Sequence, residues 1–336
     1  MSKFINIIIC PVGNECNLRC KYCYTKSYEK SSGLLSIKSV YKLIQVLMNF
    51  DELENVVFTW HGGEPLLMGV KYFAQVLELE HQIIGDKLRY INVIQSNGLL
   101  LNDEWYRLIK KENVSIGISI DGADYFSNRS RFRSREEFDL LFKNLINLKS
   151  AGIRPALFVT LTRENINSLE KTFKFIENYH PLSYTFNPIK SNNSYLTSEQ
   201  WKSIILKMKK FSDRTHIPNV LTYHIDRGLN GQPPQMCLLN GMCNKFVSLD
   251  NKGNLYASCV AQTRQLLLDQ ISNSSFGENL NKYINTHTVG CSPSIYERLG
   301  CLPQYKYFQG NGCEKCRSFN DNESYISGVI KYMRSI

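Results

Sequence analysis

Residues 16–23 read Cys16-Asn17-Leu18-Arg19-Cys20-Lys21-Tyr22-Cys23, three thiols in one short loop. The stretch before them, Phe4–Ile9, is apolar apart from Asn6 and rich in isoleucine, which predicts a strand, so the thiols follow directly on a strand end. Downstream, short β-branched runs alternate with longer helical patterns. Strands are expected at Val56–Trp60, Tyr90–Gln95, Val114–Ile120, Pro155–Leu161 and Ser183–Pro188, and amphipathic helices at Ile37–Phe50, Lys71–Ile84, Asp103–Lys111, Glu136–Ser150 and Ile166–Tyr179. A strand-then-helix repeat implies parallel strands joined by right-handed crossovers, because a parallel neighbour cannot be reached through a tight turn. Two architectures satisfy that rule, an open doubly wound sheet and a barrel. No GxGxxG or P-loop lysine motif follows any strand, so dinucleotide or phosphate binding of the ordinary kind has no support.

Polar residues gather just after successive strand ends: the thiol loop after the first, His61-Gly62-Gly63-Glu64-Pro65 after the second, Ser96-Asn97-Gly98 after the third, Asp121-Gly122 after the fourth. In parallel α/β proteins that is the face where ligands bind. After about Lys190 the period-2 runs stop, and a helical pattern at Ser198–Phe211 leads into a cysteine-containing tail.

The cysteines are bimodal. Cys10, Cys16, Cys20 and Cys23 lie at the front, Cys237, Cys243, Cys259, Cys291, Cys301, Cys313 and Cys316 in the tail, and none between. An odd total of 11 in a chain of 336 residues with no export signal argues for a reducing, cytoplasmic compartment in which thiolates serve metal or redox chemistry. The composition, 43% hydrophobic and 21% charged, excludes disorder, and the apolar stretch near the start is far shorter than the roughly 20 residues of a membrane span. The net charge of +10 comes from dispersed basic residues. The one dense patch, Arg129, Arg131, Arg133 and Arg135, suits attraction of an acidic leader peptide or a solvated helix start better than nucleic acid, which is not an expected partner.

Three thiolates on one loop can hold three irons of a 4Fe-4S cluster and leave the fourth open. The alternative is a zinc knuckle, which would want a fourth protein ligand; the nearest cysteine, Cys10, falls in the strand and reads as a buried, inert thiol. In the tail, Cys237 and Cys243 precede a predicted hairpin, Val247 to Cys259 turning at Asn251-Lys252-Gly253, and Gly310-Asn311-Gly312-Cys313 adds a fourth thiol. Thiolate spacing alone leaves zinc open there as well.

The segments CNLRCKYCY, TWHGGEPLL, QSNG and SIDG, in that order and with the thiol loop after a strand, resemble the radical S-adenosylmethionine (SAM) superfamily, and within it the peptide-modifying branch of anaerobic sulfatase-maturating enzymes and ribosomal-peptide maturases with a C-terminal SPASM extension. The resemblance implies an α/β fold: a partial (β/α)6 TIM-like barrel over residues 1–190, a helical linker over 191–235 and a small SPASM-like or twitch auxiliary-cluster domain over 236–336. It implies that Cys16, Cys20 and Cys23 hold a catalytic 4Fe-4S cluster whose open iron binds SAM, and that reductive cleavage releases a 5′-deoxyadenosyl radical. Tyr22, Gly62, Gly63, Glu64, Ser96, Asn97, Ser119, Asp121 and Arg131 are the implied SAM-binding positions. For the glycines the physical reason offered is that backbone without Cβ can approach a ligand closely.

Cys237, Cys243, Cys259 and Cys313 match the ligand set of one auxiliary 4Fe-4S cluster. The run that would ligate a second one reads Cys301-Leu302-Pro303-Gln304 and continues to Gln309, and a neutral amide is no thiolate ligand, so a single auxiliary cluster is expected. Two further departures separate the chain from sulfatase maturation: Val260 stands where those enzymes have an aspartate base, and Thr25 replaces an active-site tyrosine. The expected reaction is therefore crosslinking of a residue in a ribosomally made precursor peptide. Epimerisation with a cysteine hydrogen donor, Cys291 or Cys301, is the alternative; sulfatase maturation and a non-catalytic zinc-cysteine binding protein are the others. His224 and Asp226 are candidate bases. The expected partners are the precursor peptide, a flavodoxin or ferredoxin reductant and, since no winged-helix domain fits upstream of residue 16, a separate peptide-recognition protein.

Overall fold

The structure, a computed structural model, describes residues 4–27, 31–188, 196–230, 246–257 and 267–285, with 331, 332 and 335. Its centre is one sheet. Strands β1 (Phe4–Ile9), β2 (Asn55–Trp60), β3 (Arg89–Ser96), β4 (Ser115–Ile120), β5 (Ala156–Leu161) and β6 (Ser183–Pro188) lie side by side in chain order, each parallel to the next. Helices α1 (Ile37–Met48), α2 (Val70–Ile84), α3 (Asp103–Lys111), α4 (Tyr125–Asn128), α5 (Arg135–Ser150) and α6 (Leu169–Tyr179) fill the crossovers.

The strand order settles the choice between the two architectures. A doubly wound sheet reverses its order at a switch point and carries helices on both faces. From β1 to β6 the order never reverses, so right-handed crossovers put α1 to α6 on the same face and the sheet curls as a partial barrel. Burial follows. Ile5, Ile7 and Ile9 of β1, Val56, Phe58 and Trp60 of β2, and Leu157, Val159 and Leu161 of β5 are buried beneath the helices, while the residues between them on these strands are only partly covered. A closed doubly covered sheet would bury both sets.

The helices start where side chains can cap them. Ser36, Asn102 and Ser134 accept from backbone N–H groups at the starts of α1, α3 and α5, and Thr197 with Gln200 forms a capping box at α7 (Ser198–Thr215). Helix α8 (Val220–Leu229) and α7 pack beside β6, with the Tyr184 hydroxyl donating to the Met208 carbonyl.

The predicted hairpin forms as β7 (Phe246–Leu249) and β8 (Asn254–Tyr256), turning through Gly253 at φ +83°. It does not stand apart: β7 pairs parallel with β1, so β7, β8 and β9 (Leu267–Gln270) continue the barrel sheet beyond its first strand. Helix α9 (Phe276–Ile284) follows β9. Sequence periodicity had not resolved α8, β9 or α9; each is short, and β9 has one buried residue in four. Among the described residues no helix is long and apolar enough to cross a membrane.

Candidate active site

The thiol loop leaves β1 at Ile9 and is closed at its base where Leu35 N–H donates to the Pro11 carbonyl at 2.7 Å. Cys10 sits one residue past the strand rather than in it, buried, its N–H on the Leu249 carbonyl of β7. Leu18 anchors the loop in the core, and its N–H lies 3.3 Å from the Cys16 sulfur. Cys16, Cys20 and Cys23 are free thiols, each partly exposed. They are electrostatic neighbours: burial pushes the Cys16 thiol up to about 11, and Glu64, Cys20 and Cys23 push in the same direction. Cys20 is raised by burial too, against the opposing charge of Arg131.

Neighbouring thiols that resist ionisation alone are suited to a metal group that supplies the positive charge. Among the described residues no three His, Cys, Asp or Glu side chains converge tightly enough to chelate one ion. Three thiols on one loop can each offer a ligand to a different iron of a polynuclear cluster. The donor set therefore fits the group that the sequence implies.

The second loop locks onto the first. Gly63 N–H donates to the Gly13 carbonyl at 2.9 Å and Glu64 N–H to the Glu15 carbonyl at 2.8 Å. A Cβ on Gly63 would lie 1.8 Å from the Glu15 carbonyl oxygen, and one on Gly62, at φ +100°, would lie 2.6 Å from that of Gly13. The glycines thus have a further reason beside close approach to a ligand: the thiol loop's own backbone leaves no room for a Cβ.

Glu64 is fully buried and faces inward. Its carboxylate accepts from the Ser96 hydroxyl (2.8 Å), Leu66 N–H (3.1 Å) and Asn97 N–H (2.8 Å), stapling the β2 loop to the end of β3. Burial pushes it up to about 7, with those three donors opposing. Asn97 then turns back to the thiol loop, its amide donating to Asn17 Oδ1 at 2.7 Å and lying 3.7 Å from the Cys16 sulfur.

The third anchor is at β4. The Tyr22 hydroxyl donates to one oxygen of Asp121, and Arg131 Nη2 donates to the other at 2.9 Å. Asp121 is 2% and Arg131 8% exposed. Burial works against the Arg131 charge, but Asp121, Tyr22 and Cys20 outweigh it and raise it above the usual arginine value. Asn128 and Asn165 complete the joint, bonding the Asp121 N–H and carbonyl. Ser119, facing the barrel interior, accepts from Gln95 at 2.9 Å. The arginine run is thereby divided: Arg131 is in the interior, Arg129 and Arg135 pair with Glu164 and Asp139, and Arg133 is exposed.

Tyr22, Gly62, Gly63, Glu64, Asn97, Asp121 and Arg131 are thus brought round the three thiols, with Ser96 beneath through Glu64. His224 and Asp226 lie on α8, where Asp226 pairs with Lys209 at 2.7 Å and burial lowers His224. Cys237, Cys243, Cys259, Val260, Cys291, Cys301, Cys313 and Cys316 lie outside the described residues. Sequence reasoning missed Asn251, at the hairpin tip, which accepts from the Ser31 hydroxyl at 2.5 Å and donates to the Ser32 and Gly33 carbonyls, both at 3.0 Å, and so ties the extension to the exit of the thiol loop. An asparagine in a turn reads as turn chemistry, and nothing local marks it as a clamp.

Residues 10–176 match the radical SAM superfamily. A cysteine-type anaerobic sulfatase-maturating enzyme of Clostridium novyi is 21% identical over 98% of this chain and 99% of its own length. In three dimensions the chain is similar to anSMEcpe with bound AdoMet, at a TM-score of 0.76, 17% identity and coverage of 99% of this chain and 98% of the other. It is also similar to Streptococcus suis SuiB bound to precursor peptide SuiA, at a TM-score of 0.62, 13% identity and coverage of 92% and 71%.

Proposed function

We propose, from the premise that this chain is an enzyme of the radical SAM superfamily, that it abstracts a hydrogen atom from a residue of a ribosomally made precursor peptide and forms a crosslink, carbon to carbon or carbon to heteroatom. The observation that carries the reading is the thiol loop pinned by three strand-end anchors, with its three sulfurs as electrostatic neighbours. Loaded with a 4Fe-4S cluster and SAM, such a loop supplies a 5′-deoxyadenosyl radical. The chain's part is to hold that group through Cys16, Cys20 and Cys23, to keep the loop in place through Tyr22, Asp121 and Arg131, and to present the backbone of Gly62 and Gly63 and the polar groups of Ser96, Asn97 and Ser119 around SAM.

A peptide substrate is favoured by the solved relative whose structure holds a precursor peptide. Crosslinking removes a pair of hydrogens, one as the abstracted atom and one as a proton with an electron. An auxiliary cluster on Cys237, Cys243, Cys259 and Cys313 would accept that electron, and a cytoplasmic flavodoxin or ferredoxin would supply the one that starts the reaction. Sulfatase maturation is the second reading, favoured by end-to-end similarity to the Clostridium novyi enzyme although Val260 cannot take a proton.

Mass spectrometry after anaerobic incubation with SAM, reductant and candidate peptides separates these. Loss of a pair of hydrogens from a precursor peptide supports crosslinking. Deuterium uptake in heavy water, with no mass change in ordinary water, indicates epimerisation, and formylglycine in a sulfatase-derived peptide indicates the second reading. SAM cleavage with no peptide modified would overturn the peptide assignment.

A further inference from the structure

The three sulfurs are surrounded differently. Cys16 faces the Leu18 N–H and the Asn97 side-chain amide, and Cys20 feels the charge of Arg131. Cys23 faces a hydroxyl: Thr25 Oγ1 lies 3.1 Å from its sulfur. Thr25 is 6% exposed and belongs to the short 3-10 turn Tyr24–Ser27 that follows the last thiol, so its backbone is fixed two residues from the sulfur. A β-branched side chain is stiff at χ1, which holds the hydroxyl in place.

In a free thiol either atom could donate. A thiolate bound to iron has no proton, so the hydroxyl must donate and the sulfur accept. Such a bond stabilises negative charge on the sulfur, and the charge is greater after the cluster has gained an electron, so the reduced state gains more and the potential rises.

We propose that Thr25 is a tuning residue for the radical-generating step: its hydroxyl donates to Cys23 Sγ and raises the reduction potential of the cluster held by Cys16, Cys20 and Cys23, easing its one-electron reduction by an external electron-donor protein. The proposal rests on the reading of those thiols as cluster ligands. No bond to iron is made or broken in the step; one electron enters from the donor.

The test is a potentiometric titration of the full-length, iron-loaded protein, followed by electron paramagnetic resonance on the signal that changes when SAM is added. Thr25→Val removes the hydroxyl at nearly constant shape, and Thr25→Ser keeps it. The expected result is a midpoint potential lower in Thr25→Val than in wild type and restored in Thr25→Ser, with iron content equal in all three. An unchanged midpoint in Thr25→Val, or a Thr25→Ser shift as large as that of valine, overturns the proposal while leaving the cluster assignment standing. Wild-type protein that takes up no iron, or shows no SAM-sensitive signal, overturns the cluster reading and this proposal with it. Where Thr25→Val fails to load, Thr25→Ala against Thr25→Ser makes the same comparison.

Discussion

Tyr22, between the second and third thiols of the loop, donates its hydroxyl to Asp121, 99 positions away at the end of β4. The bond makes the register of the thiol loop depend on a strand it does not adjoin in sequence. Tyr22→Phe keeps the ring under Arg131 but leaves a buried carboxylate oxygen without its donor. Losing a hydrogen bond to a buried charged group costs about 1–3 kcal/mol. Denaturant unfolding should show a loss of that size, and SAM should bind the loaded variant less tightly. Equal stability and equal SAM affinity in Tyr22→Phe would mean that the joint does not position the loop.

Glu80 on α2 is fully buried, with one oxygen accepting from Asn92 at 2.5 Å and the other without a partner. Burial pushes its carboxyl up to about 8, with the Asn92 bond opposing. The folded value lies above the unfolded one, so the folded state holds the proton longer. The contribution to stability is complete below pH 4.5 and is lost as pH rises towards 8. Glu80→Gln keeps the acceptor for Asn92 and has no proton to hold. With each pH unit worth about 1.4 kcal/mol, the variant should be more stable than wild type by up to roughly 3 kcal/mol at pH 7 and indistinguishable near pH 4.5. A stability difference that does not change with pH would show that Glu80 does not titrate in this window.

Asn251 holds the far side of the thiol loop through Ser31, Ser32 and Gly33. The two carbonyls it serves belong to exposed residues, and water can replace a lost amide there, so Asn251→Ala should cost only about 1–2 kcal/mol. Its effect should be local. Amide exchange should quicken between Pro11 and Leu35 while β2 to β5 keep their protection, and a uniform change across the sheet would argue against a clamp.

The barrel was legible because its strands obey local rules: β-branched runs of six, separated by amphipathic helices, with polar residues at each exit. The strand at Phe4–Ile9 and the helix at Asp103–Lys111 fall where periodicity puts them. Around the site, residue types were legible but not their reasons. Glu64 is legible only as an implied SAM-binding position, and the structure adds that it is a buried staple; Gly63 likewise turns out to leave no room for a Cβ against Glu15. Asn251 escaped functional notice because its partner Ser31 is set by tertiary contact across 220 positions, and Thr25 is legible only as a replaced tyrosine because its contact with Cys23 depends on a turn whose shape the sequence does not display. Where β7 would land was equally hidden, since a short hairpin carries no signal for which edge it joins.

The proposed function depends on Cys16, Cys20 and Cys23 acting together on iron. The direct measurement is anaerobic purification with iron counting, followed by reduction in the presence of SAM and assay for 5′-deoxyadenosine, on wild type and on a Cys16→Ala, Cys20→Ala, Cys23→Ala triple variant. Wild-type protein should be brown and cleave SAM, and the triple variant should lose about four irons and all SAM cleavage. A colourless wild-type protein carrying zinc and inert towards SAM, or a triple variant with undiminished iron and cleavage, would contradict the proposed function.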